Sequence, residues 1–264
     1  MHPEVFDVNI LIKGLKEILH PLYKLEYIGD YEKKILSYII TKEPITLYRV
    51  AVDLGLNFST AYKKAYILSD NKLIREIKLK NNGAHYESTV KGLLSCLIYD
   101  CNLDINSILN KVRLKWGVSS LKNENILAFL YTVAKLFPNE NVINLLDLPS
   151  ILALMIYGYC GFDINRCLIS NGIDGPIVMK AGEVLVHYLL GFFESITGTS
   201  GHFIKGDRFS VILDSRGYIV AASCSLCGQG RYCTGEFACS KLYDAIRSYK
   251  KLGIRYNNNK IIHY

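Results

Sequence analysis

Several features that define special classes of protein are missing from this sequence. Glycine and proline are not in excess, at 20 and 6 of 264 residues, and no repeat or low-complexity segment occurs, which excludes fibrous and disordered chains. The most apolar stretches, residues 142–162 and 184–193, are short or are interrupted by Asp147 and Pro149, so we predict buried helices and no contact with a membrane. The first residues do not form a signal peptide, and we therefore expect a cytoplasmic protein.

Common catalytic motifs are missing as well. The sequence has no P-loop, no dinucleotide-binding fingerprint, no H-E-x-x-H and no G-x-S-x-G. We therefore expect a protein that is not an enzyme.

The charge of the chain permits a nucleic-acid partner without requiring one. The formal net charge is +7, and residues 202–264 carry 10 Lys and Arg against 4 Asp and Glu. A second local excess lies between Phe58 and Lys91, with seven basic residues and three acidic ones. These two segments are the ones in which we look for binding sites.

The order of predicted elements gives an α+β fold with four regions. Residues 1–30 carry an N-terminal helix, and residues 31–100 combine three short helices with two strand-like runs. Residues 101–201 are dominated by helices whose wide apolar faces suit a linker or dimerisation region. Residues 202–264 form a small α+β module with a β-hairpin, a cysteine-rich loop and a final helix at 236–253.

Helix boundaries are clearest within residues 31–100. The first helix ends before Pro44, and a second, short helix runs from Ile45 to Gly55. Asn57 or Ser59 can cap the third helix, because either side chain can accept a hydrogen bond from a free backbone N–H.

A tight turn follows the three helices. Asn81, Asn82 and Gly83 join the two strand-like runs and predict a β-hairpin. Three helices and a hairpin in this order resemble the winged helix-turn-helix domains of archaeal and bacterial transcription regulators. The resemblance implies that the third helix enters the major groove of DNA and that the hairpin, the wing, touches the backbone or the minor groove.

The third helix and the wing would supply the DNA contacts. Exposed hydroxyl and ammonium groups early in the helix can bond to bases and phosphates, and basic wing residues release counterions as they neutralise phosphates. The candidate contacts are Ser59, Thr60, Tyr62, Lys63 and Lys64 on the helix and Arg75, Lys78, Lys80 and His85 on the wing.

A plainer interpretation of the same segment stays open. The third helix can be a charged, solvated helix of a winged-helix fold that contacts proteins. Tyrosines at helix spacing are more often packing residues than base readers, and we expect this for Tyr48, Tyr62 and Tyr66.

Four of the eight cysteines fall within one short segment, with the spacing C-x2-C-x5-C-x5-C. Two thiolates separated by two residues can hold one metal ion, and two more can complete a tetrahedral site. The intervening loop is rich in glycine, and Arg231 would stabilise thiolates. The sequence therefore predicts a metal centre with the ligands Cys224, Cys227, Cys233 and Cys239.

Two metal centres fit this segment. The first three cysteines are similar in spacing to those of [4Fe–4S] sensor regulators of the fumarate–nitrate and WhiB types, which implies cluster ligation. A four-cysteine zinc site and a thiol–disulfide switch are the alternatives. Cys239 is the fourth ligand that we predict, with Cys160 and Cys167 as alternatives. Cys96 and Cys101 are expected in the core. Cysteines of a cytoplasmic protein are expected to be free, metal-bound or redox-active rather than disulfide-bonded, and intracellular disulfides become an option if the source is a hyperthermophile.

One further resemblance concerns residues 189–213. The end of a helix in Thr-Gly, followed by Lys-Gly-Asp before a strand, is similar to the end of the four-vinyl-reductase domain, a small-molecule-binding module. It implies a small-molecule ligand in the C-terminal half of the chain.

Together these features predict a homodimeric transcription regulator that binds double-stranded DNA. Its cysteine-ligated centre would sense redox state or a small ligand. Three alternatives remain: a regulator with a purely structural zinc, a protein-interaction module, and an iron–sulfur electron carrier.

Overall fold

The computed structural model describes residues 7–23, 28–79, 83–161, 164–197, 202–206, 209–213, 219–224, 244–246 and 248. Within these residues the chain is mostly helical and has two small antiparallel sheets, so it is an α+β protein, as predicted. None of the helices in this described part is long and apolar enough to cross a membrane.

The chain separates into two compact units. The hairpin unit consists of Gly14–Ser119 and Pro138–Asp147, and the meander unit consists of Met1–Lys13, Ser120–Phe137 and Leu148–Tyr264. The four regions predicted from the sequence are a different division of the chain and stay a prediction.

The elements are numbered in chain order. The helices are α1 (Val8–Leu19), α2 (Asp30–Lys42), α3 (Leu47–Leu54), α4 (Phe58–Asp70), α5 (Val90–Tyr99), α6 (Ile105–Lys115), α7 (Asn123–Leu136), α8 (Glu140–Asn144), α9 (Pro149–Cys160), α10 (Ile164–Ser170) and α11 (Gly175–Thr197). A 3-10 turn, His20–Leu22, follows α1. The strands are β1 (Ile74–Lys78), β2 (Ala84–Ser88), β3 (His202–Gly206), β4 (Phe209–Leu213) and β5 (Ile219–Cys224).

Helix α2 lies at the centre of the hairpin unit. Its side chains Ile35, Leu36 and Ile39 are fully buried, and the helix contacts α3, α4, α5 and β2. Removing a side chain of this size from water stabilises a fold by about 1.5–3 kcal/mol. This apolar stripe is therefore what holds the short helices of the unit together.

A sharp turn separates α3 from α4. Gly55 follows α3 with a left-handed backbone, φ +62°, which glycine adopts without a steric penalty. Thr46 caps α3 by accepting a hydrogen bond from the N–H of Arg49, and Asn57 caps α4 by accepting one from the N–H of Ser59. Of the two predicted caps of α4, Asn57 is confirmed, and Ser59 lies in the first turn of the helix.

Strands β1 and β2 form an antiparallel hairpin in which Arg75 pairs with Glu87. A bridge of two backbone hydrogen bonds joins Tyr86 of β2 to Ile45, with N···O distances of 3.1 and 2.8 Å. The prediction that the second helix begins at Ile45 is therefore wrong, because this residue extends the hairpin as a third, one-residue edge. Of the predicted turn, residues 81–82 lie outside the described part of the chain.

The meander unit is built on the pairing of α7 with α11. Helices α9 and α10 and strands β4 and β5 also contact α11. The strands run in the order β3-β4-β5, all antiparallel. The sequence predicted only the hairpin of β4 and β5, because the five residues of β3 lie between glycine-containing segments that obscure the strand pattern.

Two helix predictions differ from the structure. Residues 142–162, predicted as one helix, contain the end of α8 and all of α9, which begins at Pro149 because proline fits the first helical position and not the interior. Helix α10 was not predicted at all. Of the helix predicted at 236–253, only Asp244–Ile246 and Ser248 are described, and they are helical.

Candidate nucleic-acid interface

Helix α4 buries one face and exposes the other. Ala61, Ala65 and Leu68 are buried, and the helix contacts α2, α3 and β1. These three positions recur every three to four residues and therefore define one inward stripe. The side chains on the opposite side of α4 are available to a partner.

The outward face of α4 carries aromatic rings in addition to polar groups. Tyr62 and Tyr66 are 52% and 72% exposed, and Ser59 and Lys63 lie on the same side of the helix. Tyr48 of α3 is 62% exposed. The expectation that the tyrosines are packing residues is therefore wrong for Tyr62 and Tyr66, whereas the ring of Tyr48 stacks on Phe58 of α4.

The predicted helix contacts divide into two groups. Ser59, Tyr62 and Lys63 are exposed, whereas Thr60 and Lys64 are partly buried. The expectation that all five are exposed is therefore wrong at two positions. Lys63 makes no ion pair or hydrogen bond with any side chain in the described residues, so its ammonium group can reach a phosphate.

Lys64 is committed to an internal ion pair. Its Nζ donates to Oε1 of Glu32 at 2.8 Å, and the side chains of Lys64 and Glu32 are 29% and 6% exposed. A carboxylate buried to this degree needs a charged partner, because removal from water is costly for an uncompensated ion. Lys64 therefore stabilises the packing of α4 on α2.

The hairpin is fastened to the helices through Glu43. One oxygen of its carboxylate accepts from the backbone N–H and the hydroxyl of Ser88, at 2.5 and 2.7 Å. The other oxygen lies 3.1 Å from Nζ of Lys111 and 3.5 Å from Nζ of Lys115, both on α6. Glu43 therefore connects the end of α2, the end of β2 and helix α6.

The predicted wing contacts do not form one surface. Arg75 pairs with Glu87 at 2.6 Å, and Nδ1–H of His85 donates to the carbonyl oxygen of Gly83 at 2.7 Å. Lys78 is exposed, lies on the opposite face of the hairpin from Arg75, and makes no ion pair within the described chain. The prediction for Lys80 lies outside the described residues.

A polar cluster joins Tyr38 of α2 to Arg49 and Asp53 of α3. The hydroxyl of Tyr38 and the guanidinium of Arg49 both donate to Oδ2 of Asp53. The hydrogen bond from Tyr38, followed by the bond to Arg49, holds the pKa of the Asp53 carboxyl below its usual range. Arg49 is therefore partly committed to α3 itself, although its side chain is 65% exposed.

Four cysteines are joined in two disulfides, Cys96–Cys101 and Cys160–Cys167. Cys96 and Cys101 are buried, as predicted. A sulfur held in a disulfide is not a thiolate ligand, so in this structure Cys160 and Cys167 do not supply the fourth ligand of the predicted metal site. The expectation that cysteines are free, metal-bound or redox-active rather than disulfide-bonded is therefore wrong for these four, and the alternative of disulfides is the one that the structure shows.

The predicted metal site stays a prediction. Cys224 is the last residue of β5, and Cys227, Cys233 and Cys239 lie outside the described residues. Among the residues that are described, no group of three His, Cys, Asp or Glu side chains is arranged to hold a metal ion.

No family model matches this chain, and no curated protein or solved structure matches it either.

Proposed function

We propose that the hairpin unit binds double-stranded DNA, with α4 in the major groove and the β1–β2 hairpin against the phosphate backbone. The observation that carries the proposal is the outward face of α4. It combines a lysine that has no partner in the described part of the chain, a serine hydroxyl and two exposed tyrosines, on a helix whose other face is anchored to α2 and α3.

The contacts that hold α4 in place support its proposed role as a recognition helix. A recognition helix must project beyond its neighbours while its own position stays fixed. In this unit the Lys64–Glu32 pair and the buried stripe of α4 fix the helix, and the sharp turn at Gly55 lets it leave α3 at an angle. The Ile45–Tyr86 bridge and Glu43 hold the hairpin beside the same three helices.

The class of protein that we propose is thus a DNA-binding protein of the winged helix-turn-helix kind. More particularly, we propose a homodimeric transcription regulator whose segment from Cys224 to Cys239 ligates a [4Fe–4S] cluster or a zinc ion and senses redox state or a small ligand. This second step comes from the sequence. An ultraviolet–visible spectrum of anaerobically purified protein, with iron, sulfide and zinc assayed on the same sample, tests this proposal. Iron together with sulfide supports a cluster, and one zinc per chain supports a structural site. A protein that contains neither iron nor zinc refutes the metal centre.

Salt-dependent binding tests the first step. The full chain is titrated with a fluorescently labelled random-sequence duplex at several salt concentrations. We expect log K to fall linearly with log of the salt concentration, because bound lysines displace counterions from the phosphates. A chain that binds no duplex, or binds with an affinity independent of salt, would refute DNA binding.

Protein docking by the same face is the second candidate. The exposed rings of Tyr48, Tyr62 and Tyr66 favour it, because aromatic side chains are enriched in the centres of protein interfaces. An interface of this kind would bind its partner with little dependence on salt and would not respond to duplex DNA.

A further inference from the structure

Two aromatic rings stand at the start of α4. Phe58 is the first residue of the helix, and its ring stacks on that of Tyr48 with 5.2 Å between centroids and an angle of 13° between planes. Both rings remain open to water, at 46% and 62% exposure. A fully packed pair would be covered on both sides, so this pair leaves apolar surface for a partner.

The polar groups of the same turn are largely used within the helix cap. The side-chain oxygen of Asn57 accepts from both the backbone N–H and the hydroxyl of Ser59, each at 2.9 Å. The ring of Phe58 in the first turn of α4, with the ring of Tyr48 from α3 stacked on it, is therefore more prominent there than the hydrogen-bonding groups.

The start of a recognition helix is the part that meets base edges in the major groove. Hydrogen-bond donors and acceptors fill most of each edge, and the one apolar group there is the C5-methyl of thymine, to which phenylalanine is a suited contact. A methylated cytosine carries the same group at the same position. Lys63 on the same helix, and the excess of seven basic over three acidic residues from Phe58 to Lys91, make the surroundings favourable for DNA.

We infer that the stacked pair of Tyr48 and Phe58 recognises pyrimidine C5-methyl groups in the major groove, with thymine as the expected source. The inference rests on the proposed DNA binding and adds the feature of DNA that the helix reads. Covering one methyl group with the rings corresponds to about a fourfold gain in affinity, the value expected for one buried aliphatic carbon.

The test begins with duplexes selected by the full-length chain from a random double-stranded library. In the selected duplex each thymine is replaced in turn by deoxyuridine, which keeps every hydrogen-bonding group and lacks only the methyl. We expect at least one position to lose about fourfold in affinity, and Phe58→Ala to bind thymine and uracil duplexes equally. Phe58→Leu, which keeps an apolar side chain, retains part of the discrimination, and thermal unfolding of each variant confirms that it is folded.

A second arm identifies the source of the methyl. At the sensitive position the base pair is changed to C·G and then to 5-methyl-C·G. A gain on methylation supports methyl recognition from either base, and no gain alongside a loss with uracil supports thymine specifically. Equal binding of thymine and uracil duplexes at every position, with intact salt-dependent affinity, overturns this inference alone. Failure to select or bind any duplex overturns the proposed function as well.

Discussion

We expect the adjacent lysines Lys63 and Lys64 of α4 to have different roles, one in DNA binding and the other in stability, although the sequence predicted the same role for both. Lys63 faces outward and has no partner among the residues that the structure describes, and Lys64 donates to the buried carboxylate of Glu32 at 2.8 Å. Lys63→Ala should therefore weaken DNA binding and leave stability unchanged. Lys64→Ala should lower the stability of the hairpin unit and leave the salt dependence of binding unchanged.

The magnitudes follow from burial and charge. Removing one partner of a fully buried ion pair costs about 3–5 kcal/mol, because the other charge is left without compensation. Lys64 is 29% exposed, so water screens part of the pair, and we expect about 1–3 kcal/mol for Lys64→Ala. For Lys63→Ala the slope of log K against log salt should fall by about 1 for each protomer that contacts DNA.

A compensating variant makes the stability argument sharper. In the Lys64→Ala background, Glu32→Gln removes the uncompensated buried charge and should restore part of the lost free energy of unfolding. The same change in the wild-type chain breaks the pair and should be destabilising. This reversal of sign is expected only if the buried carboxylate is the source of the cost.

Denaturant unfolding and fluorescence anisotropy are measured on five proteins: the wild type, Lys63→Ala, Lys64→Ala, Glu32→Gln and the double variant. Lys13→Ala, on an exposed position of α1, is the matched control, since it removes the same charge from a different helix. The assignment of separate roles to the two lysines is refuted if Lys64→Ala is as stable as the wild type and lowers the salt slope as Lys63→Ala does. It is also refuted if Glu32→Gln destabilises the Lys64→Ala protein further.

Three more results are expected. Gly92→Ala should destabilise the protein by about 1–3 kcal/mol or more, as measured by denaturant unfolding. The added Cβ would lie 2.0 Å from the backbone oxygen of Leu73. An unchanged unfolding midpoint would contradict this packing. Tyr38→Phe should be destabilising at neutral pH, because it removes the hydrogen bond to the Asp53 carboxylate. The difference in stability from the wild type should vanish as pH falls through the lowered pKa of Asp53, since that carboxylate contributes stability only while it is ionised. A difference that persists in acid would contradict this role of Asp53. Alkylation of the unreduced, denatured chain followed by peptide mapping should label none of the four cysteines in the two disulfides, and labelling of any of them would contradict the pairing.

Much of the hairpin unit could be predicted from local sequence signals. Asn57 as a cap, Gly55 as a helix stop and the two runs that became β1 and β2 depend on chemistry within a few residues of each site. The start of α3 could not be placed in this way, because Ile45 forms its hydrogen bonds with Tyr86, a residue 41 positions further along the chain. Pairing between residues this far apart in the chain has no signal in the local sequence.

The two disulfides were missed for a different reason, because their cysteines lie only 5 and 7 positions apart in the chain. A spacing of cysteines permits metal ligation and disulfide formation alike, and which one occurs depends on how the backbone brings the sulfur atoms together. Cys160 and Cys167 meet because one ends α9 and the other lies within α10, a helix that the sequence patterns did not predict. Missing that helix therefore also meant missing the pairing.

The different positions of Lys63 and Lys64 could have been predicted from the helix periodicity of the sequence. Ala61, Ala65 and Leu68 form the inward stripe of α4, and Lys64 lies three residues after the first of them and four before the last, on the edge of that stripe. Lys63 is one residue earlier, about 100° away around the helix, on the outward side. Small apolar residues at helix spacing would thus have separated a structural lysine from one available to DNA. The identity of the partner of Lys64 would still have required the fold, because Glu32 lies on α2, 32 residues earlier in the chain.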